Sequence, residues 1–158
     1  MINSFMRLST NFTLGEFTKS QTATRKGLDN IPGAEHLESA KALFENVVQK
    51  VRDNFGVTVI NSGYRGPALN EAVGGSSKSQ HCKGEAVDIE CPGTGNYDVA
   101  KWISENCDFD QLILEFYTPG IPDSGWVHVS YKAEGNRKST LTAMKENGKT
   151  VYKPGLIQ

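Results

Sequence analysis

Residues 34–54 carry the chain's one long periodic pattern: Leu37, Ala40, Leu43, Phe44, Val47, Val48 and Val51 recur at i, i+3 and i+4 spacing. That spacing gathers the apolar side chains on one stripe of an α-helix, and the stripe must be buried against something. Pro32 stands just ahead of the pattern and Gly56 closes it, as helix start and stop signals do. The remaining apolar runs are short. Residues 57–60, expected to be buried, and residues 85–90, 111–116 and 126–131 read as strands,. Residues 68–73 read as a short helix, and 97–106 as another with Val99, Trp102 and Ile103 on one face. In the tail, 140–145 and 150–153 flank Glu146-Asn147-Gly148-Lys149, and Asn-Gly is the signal of a type I′ hairpin turn. The N-terminal stretch is polar, with Phe12, Leu14 and Phe17 expected to pin it to the body and a helical turn expected at 14–17. The sum is an α+β chain, helices packed on a mostly antiparallel sheet. It is expected to form a single domain over 1–158, with an N-terminal arm (1–34) and a C-terminal hairpin tail (133–158).

Composition narrows the functions. Lys and Arg total 17 against 18 Asp and Glu, a net charge of −1, a balance that gives no electrostatic reason to expect nucleic-acid binding and no polybasic membrane anchor. No apolar run approaches the roughly 20 residues that a bilayer requires, so no membrane insertion is expected. Met1-Ile2-Asn3-Ser4-Phe5-Met6-Arg7 lacks a basic stretch followed by an apolar core, so no secretion signal is read and the chain is expected in the cytoplasm at synthesis. Cys82, Cys91 and Cys107 have no Cys-x-x-Cys spacing and read as free thiols. A monomer is the expected state.

Of three histidines, two stand where chemistry can gather. His128 lies between Val127 and Val129, and Asp88 between Val87 and Ile89. Strand alternation turns each away from its apolar neighbours, so two strands can aim a His and an Asp at one face. His81, on the loop entering the Asp88 strand, can close a third corner. Two imidazoles and one carboxylate suit zinc with one open position, and zinc there activates water and polarises a carbonyl. On spacing alone, unrelated residues remain the commoner reading. His36, beside Glu35, reads as a solvated helix-face residue.

The surrounding words are more specific. Ser62-Gly63-Tyr64-Arg65, Leu69-Asn70, Gly74-Gly75, Ser79-Gln80-His81-x-x-Gly84-x-Ala86-x-Asp88 and Trp126-Val127-His128-Val129 occur in this order. The set resembles the zinc D-Ala-D-Ala carboxypeptidase family, which includes phage endolysin L-alanyl-D-glutamate peptidases and shares its fold with the hedgehog signalling domain. The resemblance runs from about Phe12 to Tyr131. It implies a hedgehog/DD-peptidase-like zinc fold holding one zinc, with His81, Asp88 and His128 as ligands. It implies that Arg65 binds substrate or stabilises the tetrahedral intermediate, a role suited to a guanidinium fork; a structural salt bridge is the alternative. Ser79 can bond substrate or cap its loop, and Trp126 can line a groove or sit in the core. Many relatives carry an Asp or Glu three residues before the last zinc His, where this chain has Gly125. Glu115 or Asp123 would then serve as general base, and Glu115 is favoured. Its neighbours Leu114 and Phe116 form an apolar setting that raises a carboxyl pKa, but strand register decides which face it occupies.

The resemblance implies a hydrolase: a metallopeptidase of cell wall degradation that cuts peptidoglycan stem peptides, as a D,D-carboxypeptidase or an endolysin-type endopeptidase, metal-bound water attacking the amide carbonyl. A cytoplasmic enzyme of this kind would reach the wall after holin-type release or as a virion component of a phage. Two alternatives stay open: a non-catalytic module of the same fold that binds cell-wall peptide or a partner, and a zinc-stabilised domain whose fourth ligand is Cys82 or Glu90.

Overall fold

The computed structural model describes residues 3–158, so the first two residues of the arm expected over 1–34 lie outside it. That arm is more ordered than its polar sequence suggests. It forms a small hairpin of β1 (Arg7–Ser9) and β2 (Phe12–Thr13), then α1 (Leu14–Thr18) and α2 (Gln21–Lys26). Side-chain caps make these short helices possible. Thr13 and Glu16 form a capping box at the start of α1, and the Ser20 hydroxyl accepts the Ala23 N–H at the start of α2, each cap contributing about 1 kcal/mol. Phe12, Leu14 and Phe17 are buried as expected. The Phe12 and Phe17 rings each meet Phe44 edge-on, with centroids 5.3 Å apart. A buried amide completes the attachment: Gln49 accepts from the Ser9 hydroxyl and the Asn11 N–H and donates to the Asn11 side chain.

The long stripe is realised as α3 (Ala34–Leu43), a π-helical segment (Phe44–Val48) and α4 (Gln49–Phe55), ended by Gly56 at φ +84°. Ala40, Leu43, Phe44, Val47, Val48 and Val51 are all fully buried, each of the larger ones stabilising the fold by roughly 1.5–3 kcal/mol.

There follow β3 (Val59–Ser62), α5 (Pro67–Ala72), a 3₁₀ turn (Gln80–Lys83), β4 (Ala86–Glu90) and α6 (Asn96–Asn106). The chain then runs through β5 (Gln111–Glu115), β6 (Trp126–Ser130), β7 (Ser139–Glu146) and β8 (Lys149–Pro154). These six strands form one sheet in the order β3-β4-β6-β5-β7-β8, antiparallel except where β7 runs parallel to β5. The α+β expectation holds. One detail differs. The run 57–60 is not a buried strand: Val57 is exposed, β3 starts two residues later, and it is the sheet's edge. The expected hairpin forms around Asn147 and Gly148, both at positive φ, and it extends the main sheet.

Alternation divides the sheet into two faces. Val87, Ile89, Leu112, Leu114, Val127 and Val129 enter the core with the helix stripe and with Val99 and Ile103 of α6. Asp88, Ile113, Glu115, Trp126 and His128 occupy the opposite face.

Candidate metal centre

The β4–β6 ladder sets Asp88 directly opposite His128, and the β5–β6 ladder sets Ile113 opposite His128. Residues opposite one another in a ladder share a face, so a His and an Asp converge from two strands. His81 comes from the 3₁₀ turn, which is fixed at both ends. Ser79 caps it, its hydroxyl accepting the His81 N–H at 3.2 Å. Gly84 closes it at φ +74°, and a Cβ there would collide with the His36 carbonyl. Only glycine meets both conditions. Two bonds tie the turn to the loop at 62–66: His81 Nδ1 to the Gly63 carbonyl (2.8 Å), and the Arg65 N–H to the His81 carbonyl (3.1 Å). Gly63 is in turn pressed against the Phe17 carbonyl with no room for a side chain, so the folded arm helps shape the site.

The donor set fits a metal cation. A carbonyl can only accept, so His81 Nδ1 must carry the hydrogen, and in the neutral ring Nε2 is a bare lone pair. That Nε2 faces Asp88 Oδ1 at 3.4 Å, and His128 Nδ1 faces the same oxygen at 3.0 Å. A lone pair aimed at a carboxylate oxygen calls for a positive charge between them. Ligand atoms of the three residues lie within 4.8 Å of one another. The Gly63 bond supplies the outer contact that orients a metal-binding imidazole. Burial alone would raise the Asp88 pKa, but the two neighbouring imidazoles, His128 and His81, outweigh it and hold the carboxyl well below the usual range. Neither Cys82 nor Glu90 joins this group among the described residues. The Cys82 thiol sits by the Ser76 carbonyl, and the Glu90 carboxylate holds Asn61 and Asn96.

Around these three lies a pocket of about 640 Å³ lined by Arg65, Ser79, Ile113, Glu115 and Arg137, among others. Glu115 stands opposite Trp126, two positions along β5 from Ile113, and therefore on the His128 face. Its pKa is raised, first by burial and then by the Asp88 charge, against opposing pulls from His128, Trp126 and Arg65. Leu114 belongs to the core on the sheet's other face. Trp126 packs against Phe116 with the rings tilted and centroids 5.4 Å apart, and its indole N–H completes no hydrogen bond of good geometry among the described residues. Asp123 lies elsewhere, exposed, on the rim of a small cavity with Val59 and Glu90. Gly125 sits at φ +65°, where a Cβ would strike the Glu115 carbonyl and Phe116. Arg65 makes no ion pair within 4 Å among the described residues. It donates to Ser79 at 3.3 Å, and its Nε is buried without a partner.

Residues 10–130 match the family model described as Peptidase M15. The chain belongs to this family. No curated protein matches it. The M15 match takes in all three candidate ligands, Arg65 and Glu115, and it stops at the end of β6, before β7 and β8. The domain is therefore of a peptidase family, on a six-stranded α+β frame.

Sequence reasoning missed two supports. Asp110, 1% exposed, receives a two-pronged bond from the Arg137 guanidinium (3.0 and 2.8 Å) and a bond from Gln80 (3.1 Å), the residue before His81. His36 is not a solvated face residue. Its Nδ1 lies 3.2 Å from the Tyr64 hydroxyl, and its carbonyl backs Gly84. Only the position of Gln80 inside the motif hinted at the first; nothing in the residue order hinted at the second.

Proposed function

We propose that the chain is a zinc-dependent peptidase acting on peptidoglycan stem peptides, with His81, Asp88 and His128 holding one zinc. When bound there, zinc would polarise the scissile carbonyl and lower the pKa of nearby water. Glu115 takes the proton from the attacking water and returns it to the leaving amine, and its raised pKa suits both halves of that exchange. Arg65 directs its guanidinium at the developing oxyanion or at a substrate carboxylate. Ser79 positions Arg65 and caps the turn that presents His81. Ile113, buried in the pocket floor, excludes water beside Glu115. The observation that carries this reading is the placement of Glu115 on the face shared by Asp88 and His128.

The scissile bond is either the terminal D-Ala-D-Ala amide or an amide within the stem. Release by a holin, or carriage on a virion, would bring the enzyme to the wall. The monomer remains the expected working unit. Gly125, standing where relatives carry a carboxylate, favours a second reading: a module that keeps the metal and only binds wall peptide.

One measurement separates the two. Zinc content is determined alongside hydrolysis of purified peptidoglycan, with and without chelator, and products are read by mass. One zinc per chain with chelator-sensitive release of D-Ala or a cut stem supports the peptidase and names its bond. Bound zinc without product on walls of several types favours the binding module. Absence of zinc would remove the ligand assignment.

A further inference from the structure

A second cavity is larger than the metal pocket. A cleft of about 940 Å³ lies between α2 and the outer edge of β3, reaching α5 on one side and Arg65 on the other. Arg65 lines both cavities, so the cleft and the metal pocket are neighbours at that residue. Three observations describe what the cleft would accept. Its charged lining is Lys19, Arg25 and Arg65, and no Asp or Glu contributes among the described residues. Its apolar lining includes Val59, Leu69 and Val73, of which Val59 and Val73 are unusually exposed for their type. One wall is an edge strand: β3 pairs only with β4, and no backbone hydrogen bond from outside the sheet reaches residues 59–62 among the described residues.

We propose that this cleft binds an extended, acid-bearing peptide as an added strand on β3, its carboxylates at Lys19, Arg25 and Arg65 and its small side chains on Val59, Leu69 and Val73. An open sheet edge supplies backbone partners, and the flanking side chains supply selectivity. The positive lining selects anions. It also disfavours a second copy of this chain, because a two-fold pairing of β3 edges would bring the same basic groups against themselves. The occupant's class rests on the peptidase reading, since alanine- and glutamate-containing stem peptides carry small side chains and carboxylates. The peptide would enter along β3 and pass Arg65 with its scissile bond directed to the metal pocket.

The test uses the full zinc-loaded chain carrying Glu115→Gln, so that no probe is consumed. The probes are a capped Ala-Glu-Ala-Glu-Ala peptide, its Ala-Gln-Ala-Gln-Ala counterpart, and the acidic peptide N-methylated at alternate amides. Binding is followed by backbone amide shifts. The expected result is saturable binding of the acidic peptide with shifts at 19–25 and 59–62, and weaker binding of both other probes. Adding Lys19→Ala and Arg25→Ala, both at exposed positions, should weaken the acidic peptide by roughly fivefold or more, as loss of two exposed charge pairs does, with unchanged circular dichroism. Equal binding of acidic and neutral probes, shifts confined to the metal pocket, or concentration-dependent shifts at 59–62 without peptide would overturn the proposal. Wall hydrolysis by the unsubstituted chain is scored separately. Cleft binding without hydrolysis sustains the cleft and removes the peptidase reading; hydrolysis without cleft binding does the reverse.

Discussion

Glu115 and Gly125 meet at one end of the β5–β6 ladder, where the backbone leaves room for a side chain at position 115 and none at position 125. At Gly125 a side chain would need a left-handed φ and space occupied by the Glu115 carbonyl. Restoring the relatives' carboxylate by Gly125→Asp is therefore expected to destabilise the chain, by at least about 1–2 kcal/mol, and to add no activity. Thermal melting with a peptidoglycan assay checks both parts; a stable, more active variant would sink the argument. Glu115→Gln should keep one zinc per chain and lose hydrolysis by about 10²–10⁴-fold, read by metal analysis and product release. Because burial raises the Glu115 pKa, its carboxyl is protonated at higher pH than an ordinary glutamate. The acidic limb of kcat/KM should thus lie above the usual carboxylate range of about 4–5, and a limb at or below it would contradict the assignment. At this scale the three ligand candidates were legible, since their residue types and order form a specific string. The face of Glu115 was not, because a one-residue slip in register would have turned it into the core.

Short elements need outside support, and the turn carrying His81 is the clearest case. It spans Gln80–Lys83 and cannot hold itself rigid. Asp110 secures it through Gln80 and joins it to Arg137 in the chain's last third. Asp110→Asn keeps the shape but loses the charge that Arg137 grips, and removing such a bond from a buried group costs about 1–3 kcal/mol. The variant should melt lower at neutral pH, by a few degrees to about 10 °C, and hold zinc more weakly. The pH dependence follows from the sign of the shift. Arg137 holds the Asp110 pKa below its ordinary value, so its stabilisation is complete above the unfolded pKa near 4. It is lost as pH falls through the depressed folded value. The gap between wild type and variant should close on acidification, and a gap constant with pH would mean that the charge is irrelevant. The long helix was legible as an element because its stripe is periodic. In the arm the turn expected at 14–17 was legible and forms α1, but the hairpin and α2 were not, because the Ser20 cap and the amide of Gln49 leave no periodic trace. The strand run at 57–60 misled for a related reason: β-branched residues signal an extended backbone without saying which side is covered.

For the whole molecule, the question is what the residues beyond the family match contribute. The match ends at residue 130, which on its own suggests that the last hairpin is dispensable. The sheet suggests otherwise. β7 pairs along the full length of β5, so β5, which carries Glu115 into the pocket, is an interior strand only while β7 is present. Thr142 and Ala143 are buried there, and Thr142 also binds the Gly155 carbonyl and the Ile157 N–H. The same segment delivers Arg137 to Asp110 and Tyr152 to the pocket lining. The Asn-Gly hairpin was legible, but its parallel partner was not, because a parallel pair requires a crossover that no local signal records. Ending the chain at residue 132 should uncover the β5 edge, with Leu112 and Leu114 behind it, and leave Asp110 without its guanidinium. An uncovered interior strand pairs with other chains. The expected outcome is a melting temperature lower by roughly 10 °C or more, together with self-association on size-exclusion chromatography and loss of bound zinc. A truncated chain that stays monomeric, melts within a few degrees of the full chain and retains its metal would show that β4, β6 and β5 hold the centre unaided, with the hairpin serving only the pocket's outer wall.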